Sequence, residues 1–293
     1  RRQRQMCIRD SDVGVTTIIV QPSISNIFND TRRTPVFCQP IDTLDITVTG
    51  AAIGTEIDSI ELFMDENIQL HTVSNDSLTV QILLQDIPLG MHLITAVTQD
   101  TSGLRDSIEF SVMVHNKPVN IQRPNGIRDG ITYNDDNPQS VTLSLFAPYK
   151  EYVYVIGDFN NWLVSESYYM HMDSGSTDSS HFWITIDDLS QGTEYAFQYL
   201  VDGEIRIADP YTDKILDKWN DNDISNITYP SLKQYPFGLT DHIVSIFQTA
   251  QIPFDWDYSD SFIRPDKDQL ILSLIHISEP TRRYAISYAV FCL

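Results

Sequence analysis

From residue 44 onward, apolar and polar side chains alternate in short runs: LDITVTG (44–50), SIELFMD (59–65), LTVQILLQD (78–86), HLITAVTQD (92–100) and SIEFSVMV (107–114). Each run is bounded by Gly, Pro, Asn, Asp or Ser. A period of two places every second side chain on one face of a strand, and short, evenly spaced runs predict an antiparallel β-sandwich over residues 12–115. Residues 116–130, NKPVNIQRPNGIRDG, lose this period and gather Pro, Gly and Asn, the composition of a linker. A second strand series follows: VTLSLFAP, YVYVIGDF, HFWITIDDL, EYAFQYLVDG and EIRIADP. Between the last two, Asp202-Gly203 supplies positive φ cheaply, as a tight hairpin turn requires. No stretch of ten or more residues carries a helical stripe. The expected fold class is all-β, with two tandem sandwiches at 12–115 and 131–230 and an irregular lead-in segment at 231–271. The first block has the roughly 100-residue length of an immunoglobulin-like sandwich.

The two ends change the composition. RRQRQMCIRDS at the start and SLIHISEPTRRYAISYAVFCL at the end resemble translated sequencing-adapter DNA, so residues 1–11 and 272–293 are set aside from fold reasoning. They hold six of the 19 Lys and Arg residues and two of the 40 acids, which leaves 13 basic against 38 acidic side chains, a net of −25. Such a surface repels phosphate backbones, and nucleic acid is not expected as a partner. Of three cysteines, only Cys38 lies in the interior, so neither a disulfide framework nor a cysteine metal site is expected. No run reaches the roughly 18 apolar residues of a transmembrane helix.

Three segments in order carry a family resemblance: YVIGDFNNW, then YAFQYLVDG, then IADPYTDKILDKWND. Together they resemble the early-set carbohydrate-binding module, family forty-eight, that precedes the catalytic barrel in alpha-amylase-family glycoside hydrolases. VSIFQTAQIPFDWDYSDSFIRPDKDQLIL is similar to the segment joining that module to the barrel in Bacteroidetes amylases. The resemblance implies an extracytoplasmic parent protein acting on starch- or glycogen-type α-glucan, with the catalytic barrel of the same polypeptide as partner and the present chain truncated before it. Retaining hydrolysis needs two carboxyl groups about 5–5.5 Å apart, and in this family they stand on a barrel of about 250 residues. Only 28 residues follow Pro265, so no residue here is expected to be catalytic.

The resemblance also implies contacts. In glycan-binding members the tryptophan ending NNW is a sugar platform, a lysine before VDG is a contact, and a second tryptophan follows DG. Trp162 matches the first; the lysine position falls on Gln198, and the second ring falls on Ile205. Trp162, Asn161 and Gln198 are therefore the candidate glucan contacts. The lost partners shift Trp162 toward a core or interdomain plug, with sugar stacking as the alternative. On strand HFWITID, either Trp183 or the Phe182/Ile184 pair faces outward. Tyr211 and Trp219 are candidates for packing on a neighbouring domain. No cofactor or metal is expected: the histidines lack paired ligand spacing, and DKWNDNDIS lacks the Gly and Glu of a calcium loop. Asn29, Asn75 and Asn226 begin Asn-x-Ser/Thr sequons. A stand-alone glucan-binding module and a tandem immunoglobulin-like cell-surface spacer remain as alternatives to the mount of a glucan-cleaving enzyme.

Overall fold

The computed structural model describes residues 13–21, 28–66, 68–134, 136–174 and 179–251. Residues 1–11 and 272–293, expected from sequence to be adapter-derived, and the part of the expected lead-in beyond residue 251 lie outside these. The described chain contains seventeen β-strands, several single 3-10 turns and no α-helix.

The first sandwich uses β1 (Val13–Gln21), β2 (Val36–Cys38), β3 (Thr43–Ala52), β4 (Ile57–Met64), β5 (Ile68–Val73), β6 (Ser77–Leu83), β7 (Gly90–Asp100) and β8 (Arg105–Val114). One sheet runs β1-β3-β6 and the other β2-β8-β7-β4-β5. All pairs are antiparallel except β2 on β8. The period-two runs do what their pattern dictates. Along β3, Leu44, Ile46 and Val48 are fully buried while the intervening residues are not. They meet Ile60 and Leu62 of β4, Ile94 and Ala96 of β7, and Phe110 and Val112 of β8. Each fully buried Leu, Ile or Phe contributes about 1.5–3 kcal/mol relative to exposure. A one-residue slip would turn this whole set toward water, which fixes the register. Cys38 belongs to this core, and burial pushes its thiol up to about 12.

The second sandwich uses β9 (Gly130–Tyr133), β10 (Val141–Phe146), β11 (Val153–Gly157), β12 (His171–Asp173), β13 (His181–Ile186), β14 (Glu194–Val201), β15 (Ile205–Ile207), β16 (Lys214–Leu216) and β17 (Val244–Gln248). Its outer sheet runs β12-β13-β10-β9 and its inner sheet β11-β14-β17-β16, with β15 beside β14. Between the sheets lie Val141, Leu143 and Leu145, Phe182, Ile184 and Ile186, and Phe197, Tyr199 and Phe247. Thus Phe182 and Ile184 point inward. Trp183 lies on the other face, against His171 at 5.0 Å, and donates through Nε1 to Ile121 O. Asp202 and Gly203 both take positive φ in the β14–β15 turn.

Two segments differ from the pattern-based expectation. Val244–Gln248 falls in the stretch expected as irregular lead-in, yet it is a central strand, paired antiparallel with both β14 and β16. The second sandwich therefore extends past residue 230 to at least residue 248. The expected linker is also tied down. Ile121 N donates to Met172 O and Met172 N to Val119 O, so residues 119–121 run beside β12. Arg123 then bridges Asp129 at 2.6 Å and Ser144 Oγ at 2.8 Å, and its backbone N–H donates to Asp173. Trp183, Asp173 and the backbone of Met172 satisfy backbone groups of this non-periodic segment, and Ser144 and Asp129 hold the Arg123 side chain.

The inner sheet is buried on both faces, which explains why YVYVI and AFQYLV read as nearly continuous apolar runs instead of alternating ones. On the face away from the sandwich core, Tyr154, Ile156, Ala196, Leu200, Val244 and Ile246 pack with Met113 from β8, and with Phe37 and Met91 at the margin. Phe37, His115, Tyr152, Tyr154 and Tyr169 form a ring cluster with centroid separations of 4.4–6.4 Å. Gly203 is required here: a Cβ would lie 2.4 Å from the Phe37 ring. Arg206 crosses the same seam, donating to Arg33 O at 2.6 Å with its guanidinium 4.9 Å above the Phe28 ring. Burial pulls its pKa down to about 10. One hydrophobic cluster thus joins the two sandwiches.

Two predictions follow from this seam. The buried Tyr154 hydroxyl has no hydrogen-bond partner, so Tyr154→Phe should leave stability unchanged or raise it by up to about 1–2 kcal/mol, whereas Tyr154→Ala should cost about 3–5 kcal/mol by opening a cavity. Urea titration of both variants checks this, and a destabilised Tyr154→Phe would contradict it. The second concerns His115, whose pKa is lowered chiefly by burial, against the opposing pull of Asn116 O, Asp42 and Glu151. Its neutral form is the folded one. The stability it contributes is full above the ordinary histidine value of 6.5 and is lost as pH falls from there through the lowered folded value. Between pH 7 and 5 the midpoint of urea unfolding should fall, and His115→Phe should flatten that fall.

Candidate functional site

The GDFNNW stretch turns the chain at the end of β11, and each of its residues has a structural task. Gly157 is extended, and a Cβ there would lie 2.5 Å from Ala196 O on the neighbouring strand. Asp158 accepts three donors: Trp162 Nε1 at 3.0 Å, Ala196 N at 2.9 Å and Lys233 Nζ at 3.0 Å. Phe159 turns toward the sandwich core, stacked on Tyr168 at 4.9 Å and near Phe247 at 6.2 Å. Asn160 closes the turn, accepting from Gly157 N at 2.9 Å and donating to Val155 O at 3.0 Å. Asn161 and Trp162 both adopt positive φ, 53° and 62°. For a tryptophan this backbone is uncommon and costs energy. It is compensated by burial of the ring and by its hydrogen bond to Asp158.

The glucan contacts expected on sequence grounds are placed as follows. Trp162 is 1% exposed, in one cluster with Tyr154, Val164, Leu216 and Tyr235. A ring in that position is packed among protein side chains and has no free face for a sugar. Gln198 is fully buried. Its amide donates to Asp241 O at 2.8 Å and Ile243 O at 2.7 Å, and its oxygen accepts from Thr240 Oγ1 at 2.5 Å. Both amide hydrogens and the amide oxygen are engaged in holding residues 240–243 against the inner sheet. Asn161 is exposed, and its carbonyl accepts from Arg33 at 3.4 Å. Trp162 and Gln198 are both buried, next to the segment 232–243. Leu232, Tyr235 and Leu239 of that segment pack on the Trp162 cluster.

Tyr211 and Trp219, the interdomain packing candidates, are 63% and 58% exposed. Tyr211 sits over Gly130, whose missing Cβ leaves room for it, and its backbone N–H donates to Asp209. Asp209 is buried, accepts from Tyr199 Oη at 2.7 Å, and is pushed above the usual carboxylate range by burial. DKWNDNDIS is a hydrogen-bonded turn, in which Asp217 accepts from Trp219 N and Asn220 Nδ2. Among the described residues, no group of three or more His, Cys, Asp or Glu side chains is arranged to hold a metal ion. No helix among them is long and apolar enough to cross a membrane. All three sequon asparagines are exposed.

Beside the Trp162 plug, the turns 217–222 and 232–237 enclose a shallow pocket. It is lined by Asp217, Lys218, Asp221, Asn222, Lys233 and Phe237, among others. Phe237 is 60% exposed. Sequence reasoning missed it, because the aromatics and prolines of 229–243 show no period.

The fold and this geometry define an all-β protein of two tandem sandwiches. Residues 130–212 match the family model for carbohydrate-binding module 48, the isoamylase N-terminal domain. No curated protein matches the chain. Among solved structures, a Group B Streptococcus pullulanase in complex with maltotetraose is 13% identical, with a TM-score of 0.24, over 66% of this chain and 25% of that one. A Bacteroides ovatus mixed-linkage glucan-utilization protein, SGBP-B, is 12% identical with a TM-score of 0.27, over 68% of this chain and 46% of its own. A marsupial T cell receptor scores 0.25 at 10% identity, over 64% of this chain and 93% of that one. This chain spans about a quarter of the pullulanase and under half of the glucan-utilization protein, and overlaps at these scores carry no argument about function.

Asp158 and Trp162 can be separated from a surface role by stability. Trp162→Ala should cost about 3–5 kcal/mol, as loss of a buried aromatic does, and Asp158→Ala about 2–4 kcal/mol by leaving buried N–H donors unpaired. Both are read from denaturant midpoints. A Trp162→Ala protein as stable as the native one would place the ring at the surface in solution and overturn the plug.

Proposed function

We propose that this chain is the non-catalytic portion of an α-glucan-active glycoside hydrolase, secreted or displayed at the cell surface, in which two sandwiches act as one rigid mount for a catalytic barrel carried by the same polypeptide. The match of residues 130–212 to carbohydrate-binding module 48 is the observation that carries this reading. The shared seam supports it, because a mount must hold its load at a fixed angle, and a buried cluster of tyrosines, Phe37 and Met113 resists bending. Burial of Trp162 and Gln198 supports the emphasis on positioning over sugar capture at that turn. Cleavage itself is assigned to the parent protein and to none of the side chains described.

The decisive measurement is the intact reading frame and the activity of its product. The frame should continue past residue 271 into alternating strand and helix patterns with barrel carboxylates. Its product should release reducing sugar from amylopectin or pullulan, and Gly203→Val, which drives a side chain into Phe37, should lower its thermal stability. A stop codon shortly after residue 271, or a full-length product inert on every α-glucan, overturns the proposal.

A further inference from the structure

The pocket beside the Trp162 plug has a composition that selects a ligand class. Asp217 and Asp221 bring two carboxylates, and Lys218 and Lys233 two ammonium groups. Both ammonium groups are neutralised by the carboxylates of Asp241 and Asp158, so the rim leaves no free cation for an anion, and among the described residues no group of carboxylates is arranged to hold a metal ion. Each charged group is held by a partner that fixes its direction. Lys218 pairs with Asp241 and Lys233 with Asp158. Asp217, whose carboxyl is held below the usual range by hydrogen bonds from Trp219 and Asn220, also remains ionised. Asp221 reaches back to accept from Asp217 N. With Asn222 and Gln234, the rim offers both donors and acceptors in a small area, the mixture that hydroxyl groups satisfy, since each can donate and accept.

Two aromatic rings flank this rim. Phe237 lines the pocket itself and stands 4.9 Å from Tyr235, and it is 60% exposed. Trp219 leaves the 217–222 turn with Lys218 Nζ 4.4 Å over its ring and is 58% exposed. Rings so exposed cost apolar surface in water and are the natural partners for the C–H faces of a pyranose.

We propose that Trp219 and Phe237, with the polar rim of residues 217–222 and 233–234, form a binding site for a neutral glucan chain, distinct from the buried Trp162 turn. The site rests on the carbohydrate-binding reading of the second sandwich, and it locates the sugar contact that Trp162 and Gln198 do not make. The rings supply the stacking faces. Asn222, Gln234 and the carboxylates supply orientation.

Native gel electrophoresis of the whole chain in the presence of soluble glycogen, amylopectin or mixed-linkage β-glucan tests it. The chain should be retarded by at least one of these polymers. Trp219→Ala and Phe237→Ala should each weaken retardation about three- to tenfold, the range for loss of one aromatic contact. Both substitutions are at exposed positions, so circular dichroism should show native folding. Tyr149→Ala removes another exposed ring, outside the cluster, and should leave retardation unchanged. Retardation that persists in both ring variants overturns the site while leaving glucan binding intact. No retardation of the native chain by any of the polymers also overturns it, whereas the mount is decided separately by the downstream reading frame.

Discussion

The structure depends on one constraint: the sheet β11-β14-β17-β16 must be covered on both faces. Its inner side chains, Val155, Phe197, Tyr199 and Phe247 among them, fill the second sandwich. Its outer side chains, Tyr154, Ile156, Ala196, Leu200 and Ile246, would face water if the domain stood alone. Three covers solve the problem together: the Trp162 turn, the segment 232–239, and the end of the first sandwich through Met113, Phe37 and Met91. The rest follows from that division. Gly203 must lack a Cβ so that Phe37 can close down, and Asp158 must hold both the Trp162 indole and the edge of β14. Gln198, a polar residue on an apolar sheet, is tolerated because its whole amide is spent on the chain that lies over it.

The same constraint separates two roles that a carbohydrate-binding domain could place in one residue. Trp162 has the side chain of a sugar platform, but its indole N–H is committed to Asp158 and its faces to protein. An aromatic that plugs a seam contributes stability in proportion to the area it hides, and a sugar platform contributes affinity only if that area stays open. Trp219 and Phe237 are in the second condition. The rim around them has its lysines already paired with carboxylates and adds two amides, so it suits a hydroxyl-bearing ligand over an anion, in keeping with a chain whose −21 net charge repels polyanions.

Much of the fold was legible because alternation is a local signal. β3, β4, β7 and β8 declare themselves in runs where one residue in two is apolar, and the Asp202-Gly203 turn is set by backbone sterics that two residues encode. The continuous apolar stretch of β11 announced burial on both sides without saying by what, since the covering residues come from positions 37, 91, 113, 162 and 232–239, and such distances leave no periodic trace. β17 was hidden for a different reason. VSIFQ is only five residues long and sits among prolines and aromatics that break any pattern. Residues 116–123 look like a free linker by composition; they are held by Trp183, Ser144 and Asp173, partners that reveal themselves only when the sheet exists. For the candidate site, the identity of the NNW turn is readable, but whether its tryptophan faces solvent depends on packing partners distant in sequence, Tyr154, Leu216 and Tyr235 among them.

The residues that join the sandwiches have an evolutionary corollary. Met113 and Phe37 belong to one fold unit by topology and to the other by packing. A recombination breakpoint in the 116–130 region, where composition suggests a harmless cut, would strand an apolar socket on one fragment and protruding side chains on the other. Domain shuffling is therefore penalised at the place where it looks easiest. The pair should descend through gene families as a single inheritable cassette, with substitutions at positions 37, 113, 154 and 203 correlated across the boundary.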